Sequence, residues 1–223
     1  FGGRRLSAAA LIELCNHPLV SKLHIFWNQP SPEIEGQLSG LMSASPKMEI
    51  TLSKKNTGSA GGYAAVIEKF RNSDSSQFLL LLDDDLRLQP DCIERLLAVA
   101  TASSAHLDET LFLAYRNGLP ELADLVERNQ GIRRPRPGCC VGFHFFNLIK
   151  PSIEPIQFDK NAGTYSIGSA PWGGLLIPRQ ALGKLGLPRV DFFLYAEDYE
   201  LTARFVWGNG QIILVPGAVI RDN

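Results

Sequence analysis

The chain has 223 residues, 45% of them hydrophobic, and a net charge of −1, which is enough apolar content to bury a sizeable core and too even a charge for a general nucleic-acid binder or an electrostatic membrane anchor. Its four cysteines, Cys15, Cys92, Cys139 and Cys140, lack paired CxxC spacing, so a zinc site or a disulfide scaffold is not expected. No apolar run approaches the roughly 20 residues of a bilayer span and no signal-peptide pattern opens the chain, so the expectation is one compact cytoplasmic unit.

In chain order, Ala8, Leu11, Ile12 and Cys15 recur at helical spacing, and "LHIFW" (23–27) reads as a short buried strand ending at the turn "NQPSP". "MEITL" (48–52) alternates as a second strand, and "NTGSAGG" (56–62) is a glycine-rich turn. Tyr63, Val66, Ile67 and Phe70 then mark one face of a helix. "FLLLL" (78–82) is a third strand that runs straight into Asp83, Asp84 and Asp85, and Asp91 with Glu94 fits a capping box ahead of the stripe Ile93, Leu96, Leu97, Ala100. Beyond residue 103, "LFLAY" and "VGFHFFNLI" (141–149) read as strands and "RRPRPGCC" (133–140) as a proline-broken basic surface loop. "GGLLIPRQALGKLG" (173–186) is a strand turning into a helix, "AEDYELTARFVWGNG" (196–210) is a helix, and "QIILVPGAVI" (211–220) is a final strand. Helices alternating with strands predict an α/β fold built on a mostly parallel sheet with helices on both faces.

Three adjacent carboxylates at the end of a buried strand repel one another unless a cation shares them. A hard divalent ion takes one or two carboxylates together with substrate phosphate oxygens, and in open α/β sheets ligands bind outside the carboxyl ends of strands. In an extended segment Asp83 and Asp85 converge while Asp84 points elsewhere; an acidic solvated turn is the rival reading. Gly58, Gly61 and Gly62 let backbone amides approach a ligand closely at a helix start, with a purely structural tight turn as the alternative. Glu197 and Asp198 stand at another helix start, behind the apolar run Phe192–Tyr195, where a general base or a mere helix cap is expected. Trp172 with Gly173 and Gly174 offers a platform for a sugar ring, although a tryptophan is more often buried in a core.

"NTGSAGG", "FLLLLDDDLRLQPD", "PWGGLLIPRQ", "FFLYAEDYELTARF" and "VPGAVI" occur in the order and at about the spacing of the family 2 inverting glycosyltransferases of GT-A fold. Over nearly the whole chain the sequence resembles the galactofuranosyltransferase and rhamnosyltransferase-like branch. The resemblance implies a single Rossmann-like GT-A domain over 1–223, with 1–102 as the nucleotide-binding half and 103–223 as the acceptor-side half. It implies that Asp83 and Asp85 hold Mn²⁺ or Mg²⁺ against the donor diphosphate, with Asp84 facing the donor's ribose or sugar. Asp198 takes the place of the catalytic base, and Trp172, Gly173, Gly174 and Glu197 that of the acceptor side. Asn28, with Asn56 and Gly58, takes the place of the donor-base contacts, Asn28 standing where the family has Asp.

Two departures accompany the resemblance. The family begins with a strand and turn ahead of the point where this sequence starts. The place of its metal-binding histidine after the last strand falls on Asp222, which can ligate the hard cation with Asp83 and Asp85, or, if the register slips, on Arg221, which cannot. The activity implied is inverting transfer of a sugar from a nucleotide-diphosphate donor, UDP or dTDP favoured, to a carbohydrate or glycolipid acceptor. It would take place in the cytoplasm, at the inner membrane face if segments outside this chain associate with the membrane. The rival classes are a noncatalytic nucleotide- or carbohydrate-binding module of the same fold and a nucleotidyltransferase.

Overall fold

The computed structural model describes residues 8–72, 76–128, 158–159 and 162–222. Cys139, Cys140, the basic loop at 133–140 and the strand expected at 141–149 lie outside them. The chain divides into two units, Phe1–Ser76 with Pro188–Tyr195, and Gln77–Leu187 with Ala196–Asn223.

In the first unit the apolar stripe of residues 8–15 forms α1 (Ala8–Asn16), which buries Cys15. β1 (Leu23–Asn28) and β2 (Met48–Ser53) pair in parallel, from Leu23 opposite Met48 to Asn28 opposite Ser53. The turn expected after β1 forms at residues 29–31 and leads into a helix that the sequence reading did not anticipate, α2 (Pro32–Ala44). Its start signals are local: Ser31 Oγ accepts from Ile34 N at 3.4 Å, Pro32 brings the φ of a first helical residue, and Glu33 and Glu35 oppose the positive end of the helix dipole. α3 (Gly58–Arg71) buries Ala60, Ile67 and Phe70.

The second unit is organised by a seven-stranded sheet. Its strands are β3 (Phe78–Leu80), β4 (Leu86–Leu88), β5 (Thr110–Arg116), β6 (Phe158–Asp159), β7 (Thr164–Ile167), β8 (Leu175–Pro178) and β9 (Gln211–Asp222). They run in the order β3-β8-β5-β9-β7-β6, with β4 joined to β9. Leu111 to Ala114 of β5, Leu175 and Ile177 of β8, and Ile212, Leu214, Ala218 and Ile220 of β9 have no exposed surface. α4 (Cys92–Ala102) presses Cys92, Leu96 and Ala100 onto Phe112, Ala114, Leu176 and Ile220. α5 (Pro120–Arg128), α6 (Leu182–Leu185) and α7 (Glu197–Trp207) complete the unit. Among the described residues no helix is long and apolar enough to cross a membrane.

The mostly parallel, Rossmann-like sheet expected from the sequence is not what forms. β3–β8, β8–β5, β9–β7, β7–β6 and β4–β9 are antiparallel, and among the described residues of this sheet only β5–β9 runs parallel. The fold is a mixed α/β arrangement with a largely antiparallel central sheet. The reason lies in what apolar runs encode: a strand covered on both faces is apolar throughout whichever way it runs, so "FLLLL", "LFLAY" and "GGLLIP" carry burial and not direction. β8 enters antiparallel between β3 and β5, the place where a parallel crossover was expected. The capping box at Asp91 is also absent, because Asp91 sits in the left-handed region (φ 63°) and its side chain makes no cap bond.

One irregularity decides where the site falls. Ala114 pairs with Val215 but Tyr115 pairs with Val219, so residues 216–218 bulge out of β9. Pro216 has no N–H to give to a ladder. The shift sets Arg116 opposite Ile220, which brings Asp222, the last residue of β9, level with Leu86 at the start of β4.

Candidate active site

The three aspartates of residues 83–85 form a tight turn between β3 and β4, closed by Leu86 N donating to Asp83 O at 3.2 Å. The extended alternation expected for them is therefore replaced by a turn, in which Asp84 is exposed while Asp83 and Asp85 are half-buried. β3 is anchored up to the turn, since Leu81 N donates to Leu175 O and Gly174 N to Leu81 O, both at 2.9 Å. Gly174 has φ +89°, and a Cβ there would stand 2.8 Å from Ile220 and 3.0 Å from the Ala114 Cβ, so a side chain is excluded on both counts. At Gly173 a Cβ would lie 2.4 Å from Leu86 Cδ1 and 2.9 Å from Asp83 Oδ2. The Gly173–Gly174 pair thus keeps the floor beneath the aspartate turn open.

Sequence reasoning missed Arg116. It ends β5, its Nε donates to Asp222 Oδ1 at 2.9 Å, its Nη2 bonds the same oxygen, and its Nη1 lies 3.9 Å from Asp83 Oδ2. Burial works against its charge, but the bond to Asp222 and the charges of Asp222, Asp83 and Asp85 outweigh it and raise its pKa. The signal was present: a charged residue closing an otherwise apolar strand is the same feature that drew attention to the aspartates after β3. Gly118 belongs to the same corner, because a Cβ on it would fall 1.9 Å from Asp222 Oδ2.

Asp198 stands in the first turn of α7, half-buried, with Oδ1 accepting from Tyr199 N at 2.8 Å. Burial pushes its pKa up to about 6, and the charges of Glu197 and Asp83 push the same way. The helix start is fixed from below. Thr202, fully buried, accepts from Ala170 N at 2.9 Å and shares its one proton between Asp198 O at 2.8 Å and Ala170 O at 3.0 Å. Thr202 is a second residue that sequence reasoning passed over, since a threonine inside a helix carries no pattern of its own. Ala196, just before the helix, holds φ 67°, a left-handed conformation that costs a residue with a Cβ about 1–2 kcal/mol.

Trp172 is 3% exposed, and its Nε1 donates to Glu197 Oε1 at 3.2 Å, with Glu197 itself 2% exposed. Of the two readings open for Trp172, a sugar platform or a buried core side chain, the second is what forms, and the indole holds Glu197 in place. In the first unit, Asn28 Oδ1 accepts from Thr57 N at 2.9 Å and Thr57 Oγ1 at 2.8 Å, and its Nδ2 donates to Gly58 O at 3.0 Å. Asn56 Oδ1 accepts from Gly58 N at 2.9 Å. Gly58 has φ +68°, and Phe193 O occupies the space where its Cβ would go. The amides at 57 and 58 are thus bonded to side chains within the unit, and Asn28 and Asn56 hold the loop together.

For a hard divalent cation the donor set at Asp83 and Asp85 is chemically suited, and the bare Gly173 leaves room beside Asp83 Oδ2. Asp222 is bound to Arg116 instead, and among the described residues no three His, Cys, Asp or Glu side chains are grouped to hold a metal. The fit is to two carboxylates with the remaining positions left for ligand oxygens.

No family model matches the chain. It is 27% identical over 169 residues to the galactofuranosyltransferase GlfT2 of Mycolicibacterium smegmatis and 28% identical over 177 residues to GlfT2 of Mycobacterium tuberculosis. In each case 74% of this chain and 26% of the relative are covered, so the chain spans about a quarter of the length of these relatives. Among solved structures, GalNAc-T7 with UDP, GalNAc and Mn²⁺ superposes with a TM-score of 0.63 at 12% identity, covering 91% of this chain and 38% of that one. S. aureus TarS superposes with 0.55 at 10% identity, covering 97% and 34%. The chain has a glycosyltransferase-like fold and is related in sequence to galactofuranosyltransferases.

Proposed function

We propose that this domain transfers a sugar, with inversion, from a nucleoside diphosphate donor to a hydroxyl of a saccharide or glycolipid acceptor, in the manner of the family 2 enzymes it resembles. The observation that carries the reading is the placement of Asp198 in the field of Asp83, in the unit whose sheet edge also bears Asp85, Arg116 and Asp222. A general base works best when its pKa lies near the operating pH, and a half-dry aspartate at about 6 meets that condition while remaining mostly ionised at neutrality.

In the proposed step the acceptor hydroxyl gives its proton to the Asp198 carboxylate while its oxygen attacks the anomeric carbon. The bond from that carbon to the diphosphate oxygen breaks, and the departing diphosphate keeps the electron pair. Glu197, held by Trp172, keeps a second negative charge beside Asp198 and so helps to sustain its basicity. Thr202 fixes the helix turn that aims Asp198. A divalent cation, Mn²⁺ or Mg²⁺, would be held by Asp83 and Asp85 and, when bound, would offset the charge of the leaving diphosphate; the Mn²⁺ in the GalNAc-T7 structure supports this by analogy. Asp84, the exposed member of the turn, is left to the donor's ribose or sugar. Asn28, Asn56 and Gly58 keep their proposed part in donor-base binding through the loop they build in the first unit.

The test is transfer of labelled sugar from a panel of UDP- and dTDP-sugars, a galactofuranosyl donor among them, to alkyl glycosides. Product of inverted anomeric configuration, lost in Asp198→Asn, supports the reading. Nucleotide binding with neither transfer nor donor hydrolysis from any member of the panel would replace it with a binding module.

A further inference from the structure

We infer that Arg116 is a built-in cation of the aspartate edge, and that a divalent metal ion competes with its guanidinium for Asp83 and Asp222. The inference rests on the proposed function only in supposing that a metal comes to this edge.

The geometry sets Arg116 among these carboxylates. Two nitrogens of the guanidinium meet one oxygen of Asp222, and the third faces Asp83 Oδ2 at 3.9 Å. Asp85 adds its charge from the same turn. Arginine suits the task because its planar fork of donors engages two carboxylates at once and it stays charged at every working pH. The arginine side chain is 17% exposed, although the Asp222 carboxylate it holds is 44% exposed, so the pairing is partly open to screening by solvent.

The backbone is built to bring these groups together. The β9 bulge sets Arg116 opposite Ile220, two residues from Asp222, and Gly118 lacks the side chain that would displace the Asp222 carboxylate. Gly173 is equally bare next to Asp83 Oδ2, and its Cβ would stand 3.7 Å from Arg116 Nη1. Two glycines therefore clear the approach of one arginine to two aspartates. A metal ion arriving at Asp83 meets a fixed positive charge about one ion-pair distance away, which lowers its affinity. Substituting the guanidinium removes a positive charge from beside Asp83 and Asp222, so a divalent cation meets a more negative site there. Metal binding to the wild-type chain is accordingly weak until an anionic ligand such as a diphosphate offers Arg116 a second partner.

The test is a titration of the chain with Mn²⁺ alone, no nucleotide present, in which free Mn²⁺ is followed by electron paramagnetic resonance. Arg116→Gln should bind Mn²⁺ at least about tenfold more tightly than wild type. Arg116→Lys keeps the charge but not the fork, and should fall between the two. It also serves as the working variant should Arg116→Gln fail to fold by circular dichroism. The gain in Arg116→Gln should shrink when Asp222→Asn is added, because one of the released carboxylates is then gone. Affinities in both Arg116 variants equal to or below wild type would overturn the inference. The expected order of affinities in a chain that transfers no sugar would instead count against the proposed function and leave the role of Arg116 standing.

Discussion

Two clusters of charge, one in each unit, differ in a way that separates structure from site. In the first unit, Glu49 of β2 lies opposite His24 of β1 and takes Lys22 Nζ and Lys69 Nζ, each at 2.9 Å. One carboxylate answers two ammonium groups, and hydrogen bonds from Lys69 and Lys22 pull its pKa down to about 2. In the second unit the pattern differs: the charges of Asp83, Asp85 and Asp222 act on the guanidinium of Arg116, and Asp198 is driven up to about 6. A carboxylate outnumbered by cations has its charge satisfied and serves as a surface tie between strand and helix. Carboxylates gathered at a sheet edge in the same unit as an aspartate whose pKa is pushed up mark a place where a cationic or proton-bearing ligand can act.

The sharpest way to break this contrast is Asp198→Asn, for which the account expects sugar transfer to fall on the order of 10²- to 10⁴-fold. Stability should move the other way. A carboxyl whose folded pKa is raised binds its proton more tightly in the folded state, so its contribution is greatest below the ordinary aspartate value and is lost as pH rises through about 6. The neutral amide escapes that loss and should stabilise the chain at pH 7 by about 1–3 kcal/mol, read as a rise in melting temperature. A variant that melts lower and transfers normally would make Asp198 a helix cap.

Next in size is Gly173→Ala. Its Cβ would press on Leu86 Cδ1 at 2.4 Å and on Asp83 Oδ2 at 2.9 Å, which costs about 1–3 kcal/mol as overpacking and pushes Asp83 out of place. Calorimetry with UDP and Mn²⁺ should show weaker binding, and unchanged affinity would separate Asp83 from the donor. Trp172→Phe removes the indole N–H that meets Glu197 Oε1 and should cost about 1–3 kcal/mol in stability, the penalty of a lost partner at a buried acceptor, measured by urea titration.

The smallest effect belongs to the first cluster. Glu49→Gln should cost less than about 1 kcal/mol at pH 7, because its ion pairs face solvent, and should leave transfer untouched. Since the folded pKa of Glu49 is depressed, what little it contributes is present above the ordinary glutamate value and is lost as pH falls toward about 2. A variant of Glu49 that changed transfer would end the distinction between the two clusters.

Which parts of this were legible in the sequence follows from what each pattern encodes. Apolar periodicity located α1, α3, α4, β1, β2, β5, β8 and β9 close to where they form, because burial leaves its mark residue by residue. Strand direction left no such mark, so β8 was placed in the wrong kind of sheet. α2 was hidden behind a proline-rich opening that reads as a turn, although Ser31 and Pro32 are ordinary helix starters. At the site, the aspartate run and the helix start at Glu197–Asp198 stood out as charge against an apolar background. Arg116 did not, because its importance comes from a bulge more than 90 residues away in sequence that sets Asp222 beside it. The burial of Trp172 was the commoner fate for a tryptophan, but its bond to Glu197 is a matter of packing that a single aromatic letter does not disclose.

The most direct measurement of the central claim, that the second unit carries the catalytic edge with Asp198 as its base, is the pH dependence of kcat/KM for sugar transfer, which reports the free enzyme's base. With the base at about 6, kcat/KM should be level near neutrality and fall tenfold per pH unit below an inflection close to pH 6, and the residual activity of Asp198→Asn should lack that inflection. A wild-type profile that stays flat down to pH 4, or an inflection near 6 that survives in Asp198→Asn, would contradict the account.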